Sequence, residues 1–227
     1  DIPGCSVATL WQAARQVGGD FYDFLPLDDG KWGIVIADVA DKGVPAALFM
    51  ALSRTILRTV AFNRDDPAHV LMRSNEIIGR EARADLFVTM FYGIWDPATE
   101  QFTYSNAGHN PPLLLKTNGE FRVLAGNGIA LGVLPEVHME SRSVRLRPGE
   151  TIILYTDGVT EALNEDFDEF GLERLQVAAR AAAGQPSSEM VKHIDDSIRD
   201  HTGQTPQFDD MTLIVMKRRR GKSEKQG

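Results

Sequence analysis

The stretch Ile36-Ala-Asp-Val-Ala-Asp-Lys-Gly-Val-Pro-Ala-Ala-Leu-Phe-Met50 constrains the fold more than any other part of the chain. An apolar run from Trp32 to Ala37, rich in Ile and Val, reads as the end of a buried strand. Asp38 follows at the strand's exit, Gly43 supplies a turn, and Pro45 starts a helix. A carboxylate there, beside the electropositive start of a helix, is placed to hold a cation or receive a phosphate. The setting recurs. Asp20 follows Gly18-Gly19, Asp157 ends the apolar run Thr151 to Thr156 and precedes Gly158, and Asp209-Asp210 precedes the final apolar run Met211 to Met216.

The remaining elements follow from periodicity and punctuation. Residues 6–16 read as a first strand with Val7, Thr9 and Trp11 alternating, and 31–37 as a second, paired with a preceding segment across Asp28-Asp29-Gly30. Residues 44–61 form a helix with Leu48, Leu52 and Ile56 along one face; Asp66-Pro67 opens another that runs to about Arg83. From Leu86 the texture changes to short strands (Phe87–Trp95, Gln101–Ser105, Leu113–Lys116, Phe121–Leu124, Ser141–Leu146) separated by Asp-Pro, Asn-Gly and Pro-Gly turns, the spacing of an antiparallel sheet. After the strand at 151–156 come an acidic loop and helices at 172–183 and 187–201. Antiparallel strands with helix pairs before and after predict an α+β, four-layer α-β-β-α sandwich. Residues 1–216 are expected to form one domain, followed by a basic, disordered tail at 217–227.

Composition removes several classes of function. The net charge is −8, yet residues 217–227 carry six Lys/Arg and one Glu, so the body stands at −13 and repels nucleic acid. No run reaches the ~18 consecutive apolar residues of a membrane helix, and no basic-then-apolar leader opens the chain, which favours the cytoplasm. A single cysteine, Cys5, has Trp11 six residues on where a cysteine-nucleophile phosphatase needs arginine. The five histidines show no His-x-x-x-His pair, and neither a Gly-x-x-x-x-Gly-Lys-Ser/Thr loop nor a Gly-x-Ser-x-Gly elbow is present.

What remains is carboxylate chemistry. Gathering several carboxylates is costly unless a cation neutralises them. All-oxygen sites select hard ions, Mg²⁺ or Mn²⁺ rather than Zn²⁺, and two such ions ~3.5–4 Å apart clamp a bridging water against an incoming phosphoryl group. Taken singly, an Asp at a strand end or turn is more often a helix cap or an Asx turn.

Five motifs in order carry a family resemblance: Val17-Gly-Gly-Asp-Phe-Tyr-Asp-Phe24, Ile36 to Ala47, Ser105-Asn-Ala-Gly-His-Asn-Pro-Pro112, Tyr155-Thr-Asp-Gly-Val-Thr-Glu161 and Phe208-Asp-Asp-Met-Thr212. Over residues 1–216 the chain resembles the SpoIIE/RsbU branch of the PPM (type 2C) metal-dependent serine/threonine protein phosphatases. The resemblance implies the same sandwich and hydrolysis of phosphoserine or phosphothreonine through a water bridging two Mn²⁺ or Mg²⁺ ions. It implies Asp38 as the bridging carboxylate, the Val39 carbonyl on one ion, Asp157 and Asp209 on the second, and Asp20 acting through bound water. Asp210 stays an alternative to Asp209, and Glu161 matches a position associated with a third ion. On the substrate side it implies Arg15, which reaches the site only through a bulge at Gly18-Gly19, and Asn106 and His109 of the third motif, where His109 serves equally to hold a loop. Asp41 departs from the small residue usual after the second-motif Asp; solvent is its favoured direction.

The implied partners are a phosphorylated anti-sigma-factor antagonist, in bacterial stress or developmental signalling, and an upstream sensor or receiver module, which makes the chain an excised catalytic domain. A homodimer is compatible with the sequence; no nucleic-acid or membrane partner is expected. The rival reading is a catalytically silent regulatory or docking domain of the same fold.

Overall fold

The computed structural model describes residues 2–62, 64–81 and 86–220. In chain order they form β1 (Cys5–Gln12), β2 (Phe21–Pro26), a 3-10 turn at Asp28–Gly30, β3 (Trp32–Val39), α1 (Val44–Ala61), α2 (Pro67–Glu81), β4 (Val88–Asp96), β5 (Gln101–Ala107), β6 (Leu113–Leu115), β7 (Phe121–Val123), β8 (Arg142–Arg145), β9 (Thr151–Tyr155), α3 (Asp157–Thr160), α4 (Gly171–Ala181), α5 (Ser187–Thr202) and β10 (Met211–Arg218). Two of the expectations fall partly on residues outside those described: the end of the second helix near Arg83, and positions 221–227 of the tail. The tail's first two residues, Lys217 and Arg218, belong to β10 rather than to a disordered end.

The stretch read as one domain is organised as two compact units. One comprises residues 1–12, 112–124 and 146–227; the other comprises residues 13–111 and 125–145. The reason is long-range pairing. β1 runs antiparallel to β10, from Cys5 opposite Arg218 to Gln12 opposite Met211, so the two ends of the chain share one sheet.

The first unit is a five-stranded antiparallel sheet in the order β1-β10-β9-β6-β7 with α4 and α5 packed on it. Alternation decides its buried face: Leu113, Leu115, Ile153, Tyr155, Leu213 and Val215 meet Leu175, Ala179, Met190 and Ile194 of the helices. The second unit is a five-stranded antiparallel sheet in the order β2-β3-β4-β5-β8. Val35, Ala37 and Val39 of β3 and Met90 and Tyr92 of β4 pack with Phe49, Leu57, Val60, Leu71 and Ile78 of α1 and α2. On the opposite strand face Phe91 stacks with Phe102 and Tyr104 at centroid distances of 6.3 and 5.3 Å.

α1 occupies the predicted span but not with the predicted face. Its buried residues are Ala46, Phe49, Ser53, Ile56, Leu57, Val60 and Ala61, whereas Leu48 is 68% and Leu52 37% exposed. Steps of four advance about 40° per step around a helix of 3.6 residues per turn, so Leu48-Leu52-Ile56 drifts off the core. Alternating steps of three and four, as in 46-49-53-56-60, stay on it. α1 is long and apolar enough to pass as a membrane span by composition; its packing against the sheet makes it a core helix.

Candidate active site

In the second unit the β2–β3 register ends with Phe21 opposite Ala37, which leaves Asp20 and Asp38 as the next residues beyond that pair. Asp20 is buried and Asp38 half-buried. Gly19 explains how the backbones approach: a Cβ there would stand 3.0 Å from the Val39 carbonyl oxygen, so glycine keeps that oxygen clear. Just beyond, Asp41 adopts φ 96°, a conformation side chains rarely take, and its Oδ1 accepts from the Lys42 amide at 2.7 Å. Strain of that kind gathers at functional loops. Asp41 is exposed, in the favoured direction.

A chain of polar contacts fastens the Asp38 strand. Asp38 pairs with Thr89 of β4, whose hydroxyl donates to the Asp38 carbonyl at 3.4 Å and lies 2.9 Å from His109 Nδ1. His109 is held in turn by Asn106: the His109 amide donates to Asn106 Oδ1 at 2.8 Å, and Asn106 Nδ2 donates to the His109 carbonyl at 2.9 Å. Both are buried. The Asn106 carboxamide is therefore engaged in closing its own turn, and His109 sits behind the Asp38 strand. Arg15 is exposed, in a segment of bends after β1 ends at Gln12. The strand predicted for 6–16 stops short of it, so strand alternation does not decide its direction.

In the first unit β9 ends at Tyr155 and Asp157 opens the one-turn α3. The Glu161 amide donates to the Asp157 carbonyl at 2.7 Å, which puts Glu161 one turn from Asp157 on the same side. Two bonds stitch this turn to the start of β10. The Thr156 amide donates to the Thr212 carbonyl, and the Thr212 amide to Thr156 Oγ1, both at 3.0 Å. Gly158 lies so close to Asp210 that an added Cβ would fall 2.0 Å from the Asp210 carbonyl oxygen. Asp209 Oδ1 accepts from the Asp210 amide at 2.9 Å. Asp209 and Glu161 line a cavity of about 610 Å³ shared with the second half of α5 and the 203–208 loop, while Asp210 is buried outside that lining.

Thus Asp20 is brought to Asp38, and Asp157 to Glu161 and the Asp209-Asp210 pair. Among the described residues no group of three or more His, Cys, Asp or Glu side chains forms a metal-holding set. The donors that each unit does assemble, carboxylate oxygens and a carbonyl kept clear by glycine, are hard ligands of the kind Mn²⁺ and Mg²⁺ take. Cys5 is no competitor: burial raises its thiol to about 12, leaving it protonated at neutral pH. Thr89 and Thr156 were not legible as supports, because only strand register and the β9–β10 crossing bring them to Asp38 and Thr212.

The model of the SpoIIE family, Stage II sporulation protein E, matches residues 28–219. The chain belongs to the SpoIIE family. This SpoIIE-family chain is 33% identical over 209 residues to the phosphoserine phosphatase RsbU of Bacillus subtilis (strain 168), covering 91% of the chain and 61% of RsbU. It is 32% identical over 253 residues to protein IcfG of Synechocystis sp., covering 96% of the chain and 38% of IcfG. It therefore spans less than two thirds of the length of these relatives. The SiaA-PP2C domain of Pseudomonas aeruginosa matches it with a TM-score of 0.84 at 27% identity, over 93% of this chain and 85% of that one. These likenesses place the SpoIIE-family chain in the SpoIIE/RsbU branch of the PPM phosphatases and show the α+β sandwich class predicted from its strand pattern.

Proposed function

We propose that this SpoIIE-family domain is a divalent-metal-dependent phosphatase that removes phosphate from phosphoserine or phosphothreonine on a protein. The observation that carries the reading is the placement of its carboxylates: Asp38 and Asp157 stand at or just past strand ends, Asp20 and Asp209-Asp210 just before strand starts, and Gly19 and Gly158 let the neighbouring backbones approach. The likeness to RsbU, a phosphoserine phosphatase, supports it. A PP2C-fold phosphatase domain, PstP, was crystallised with two manganese ions at a TM-score of 0.68 and 15% identity.

The proposed ligands are Asp20, Asp38 and the Val39 carbonyl in one unit, and Asp157, Asp209 and Glu161 in the other, with Asp210 the alternative to Asp209. Bound there, two divalent ions, with a third at Glu161, would supply Lewis-acid chemistry to a phosphoryl group and to an attacking water. The chain's part is to hold its carboxylates still. The Thr89-His109-Asn106 contacts brace the Asp38 strand, and the Thr156–Thr212 bonds brace Asp157 against the start of β10. Arg15, exposed shortly before Gly18-Gly19, is the proposed binder of an anionic substrate group. Water cleaves the P–O ester bond, giving inorganic phosphate and the free hydroxyl; a protonated, buried Cys5 offers no nucleophile for a covalent route.

The proposed substrate is a phosphorylated anti-sigma-factor antagonist in the cytoplasm, with regulation by a sensor or receiver module. The test is phosphate release from candidate phosphorylated antagonists of the same genome with 1 mM-range Mn²⁺ and with EDTA. Release that requires Mn²⁺ is expected; release from none of them, with p-nitrophenyl phosphate also untouched, contradicts the reading.

A further inference from the structure

Asp23 sits inside β2, 8% exposed, three residues after Asp20. Its Oδ2 accepts from two guanidinium Nε atoms, Arg54 at 2.9 Å and Arg58 at 3.0 Å, while Oδ1 accepts from the Phe24 amide at 2.9 Å. The two arginines stand one turn apart on α1, their side chains 45% and 49% exposed. One carboxylate thus joins the strand that leaves Asp20 to the helix that follows Asp38.

An exposed ion pair contributes little, but this acceptor is withdrawn from water, where a carboxylate is costly unless paired. Bonding through Nε also fixes each guanidinium plane, which a lysine at the same place does not do. The apolar contacts of Phe49, Ile56, Leu57 and Val60 already hold α1 on the sheet. Such contacts are non-directional; they resist separation more than they resist sliding or rotation. Arg54 and Arg58 stand in the second half of α1, alongside the buried Ile56, Leu57 and Val60. Directional bonds to Asp23 supply the restraint that packing there does not.

We propose that Asp23 is a positioning residue: by gripping Arg54 and Arg58 it sets the register of α1 against β2 and thereby the spacing of Asp20 and Asp38. The proposal rests on the phosphatase reading above, in which those two residues are ligands. The test is calorimetric Mn²⁺ titration of wild type and Asp23→Asn, with p-nitrophenyl phosphate turnover followed against Mn²⁺ concentration and Tm measured alongside. Loss of a group that orients a ligand weakens metal binding about 10–100-fold. Asp23→Asn should therefore bind Mn²⁺ at least tenfold more weakly yet recover to within about threefold of wild-type kcat at saturating Mn²⁺. Arg54→Lys with Arg58→Lys, which keeps both charges, should fall between the two. A purely structural salt bridge would lower Tm and leave the Mn²⁺ affinity of the folded protein alone. Wild-type affinity in folded Asp23→Asn overturns the proposal; should that variant not fold, wild-type affinity in the double lysine variant overturns it equally. Absence of Mn²⁺ uptake by the wild type would instead overturn the phosphatase reading, and the clamp with it.

Discussion

Asp38→Asn is expected to lower Mn²⁺-dependent turnover of p-nitrophenyl phosphate by about 10²–10³-fold, the usual cost of deleting one preorganised charge-stabilising group. The amide keeps the size of the side chain and removes its charge. The contacts that hold this part of β3 run through backbone: the register with β2 and β4, and the Thr89 hydroxyl on the Asp38 carbonyl. They survive the substitution, so near-UV circular dichroism and the unfolding midpoint should stay close to wild type. Steady-state kinetics over a Mn²⁺ series checks the prediction; unchanged turnover would remove Asp38 from the machinery.

Gly158→Ala should be the most damaging single-methyl change near the site. The new Cβ would lie 2.0 Å from the Asp210 carbonyl oxygen and 2.9 Å from its carbon, both backbone atoms with no rotamer to yield. The Thr156–Thr212 bonds clamp the same two segments together, so relief requires the start of β10 to move. Overpacking of this kind costs about 1–3 kcal/mol, and a backbone clash belongs at the upper end. The shift would displace Asp157 from Asp209-Asp210, weakening Mn²⁺ binding as well as stability. Gly79→Ala is the control: nothing lies within 4 Å of its added Cβ, and in the last turn of α2 alanine should leave stability unchanged or raise it by less than about 1 kcal/mol. Urea unfolding of both variants decides; equal stability of Gly158→Ala and wild type would mean the two segments are not packed as described.

The local elements were legible because their causes are local. Gly43 and Pro45 start α1 where the structure has it, and turn residues delimit the strands from 88 to 145 within a residue or two. Two kinds of information were not local. Which face of α1 is buried depends on the sheet beneath it, and two of its leucines, Leu48 and Leu52, misled by being apolar without being inward. The pairing of β1 with β10 joins residues about two hundred positions apart, from Gln12 with Met211 to Cys5 with Arg218, and nothing in either strand names the other. The candidate site shows the same division. Its Asp residues stand out beside the ends of apolar strands, and the acidic loop before α4 stands out by composition. Yet the helical turn α3 and the role of Asn164, whose Oδ1 accepts from the Asp166 and Asp168 amides at 3.0 and 2.8 Å, are matters of side-chain bonding that spacing does not reveal. Asp23 is not legible because only the packing of α1 on the sheet brings its partners, Arg54 and Arg58, to β2.

The central claim is that these carboxylates hold divalent cations. Crystals grown with Mn²⁺ and measured at the manganese absorption edge test it most directly. The account predicts anomalous peaks whose ligands include Asp38 and Asp157. Well-ordered crystals with no such peak, or with manganese held only by other residues, would contradict it and favour a silent docking domain.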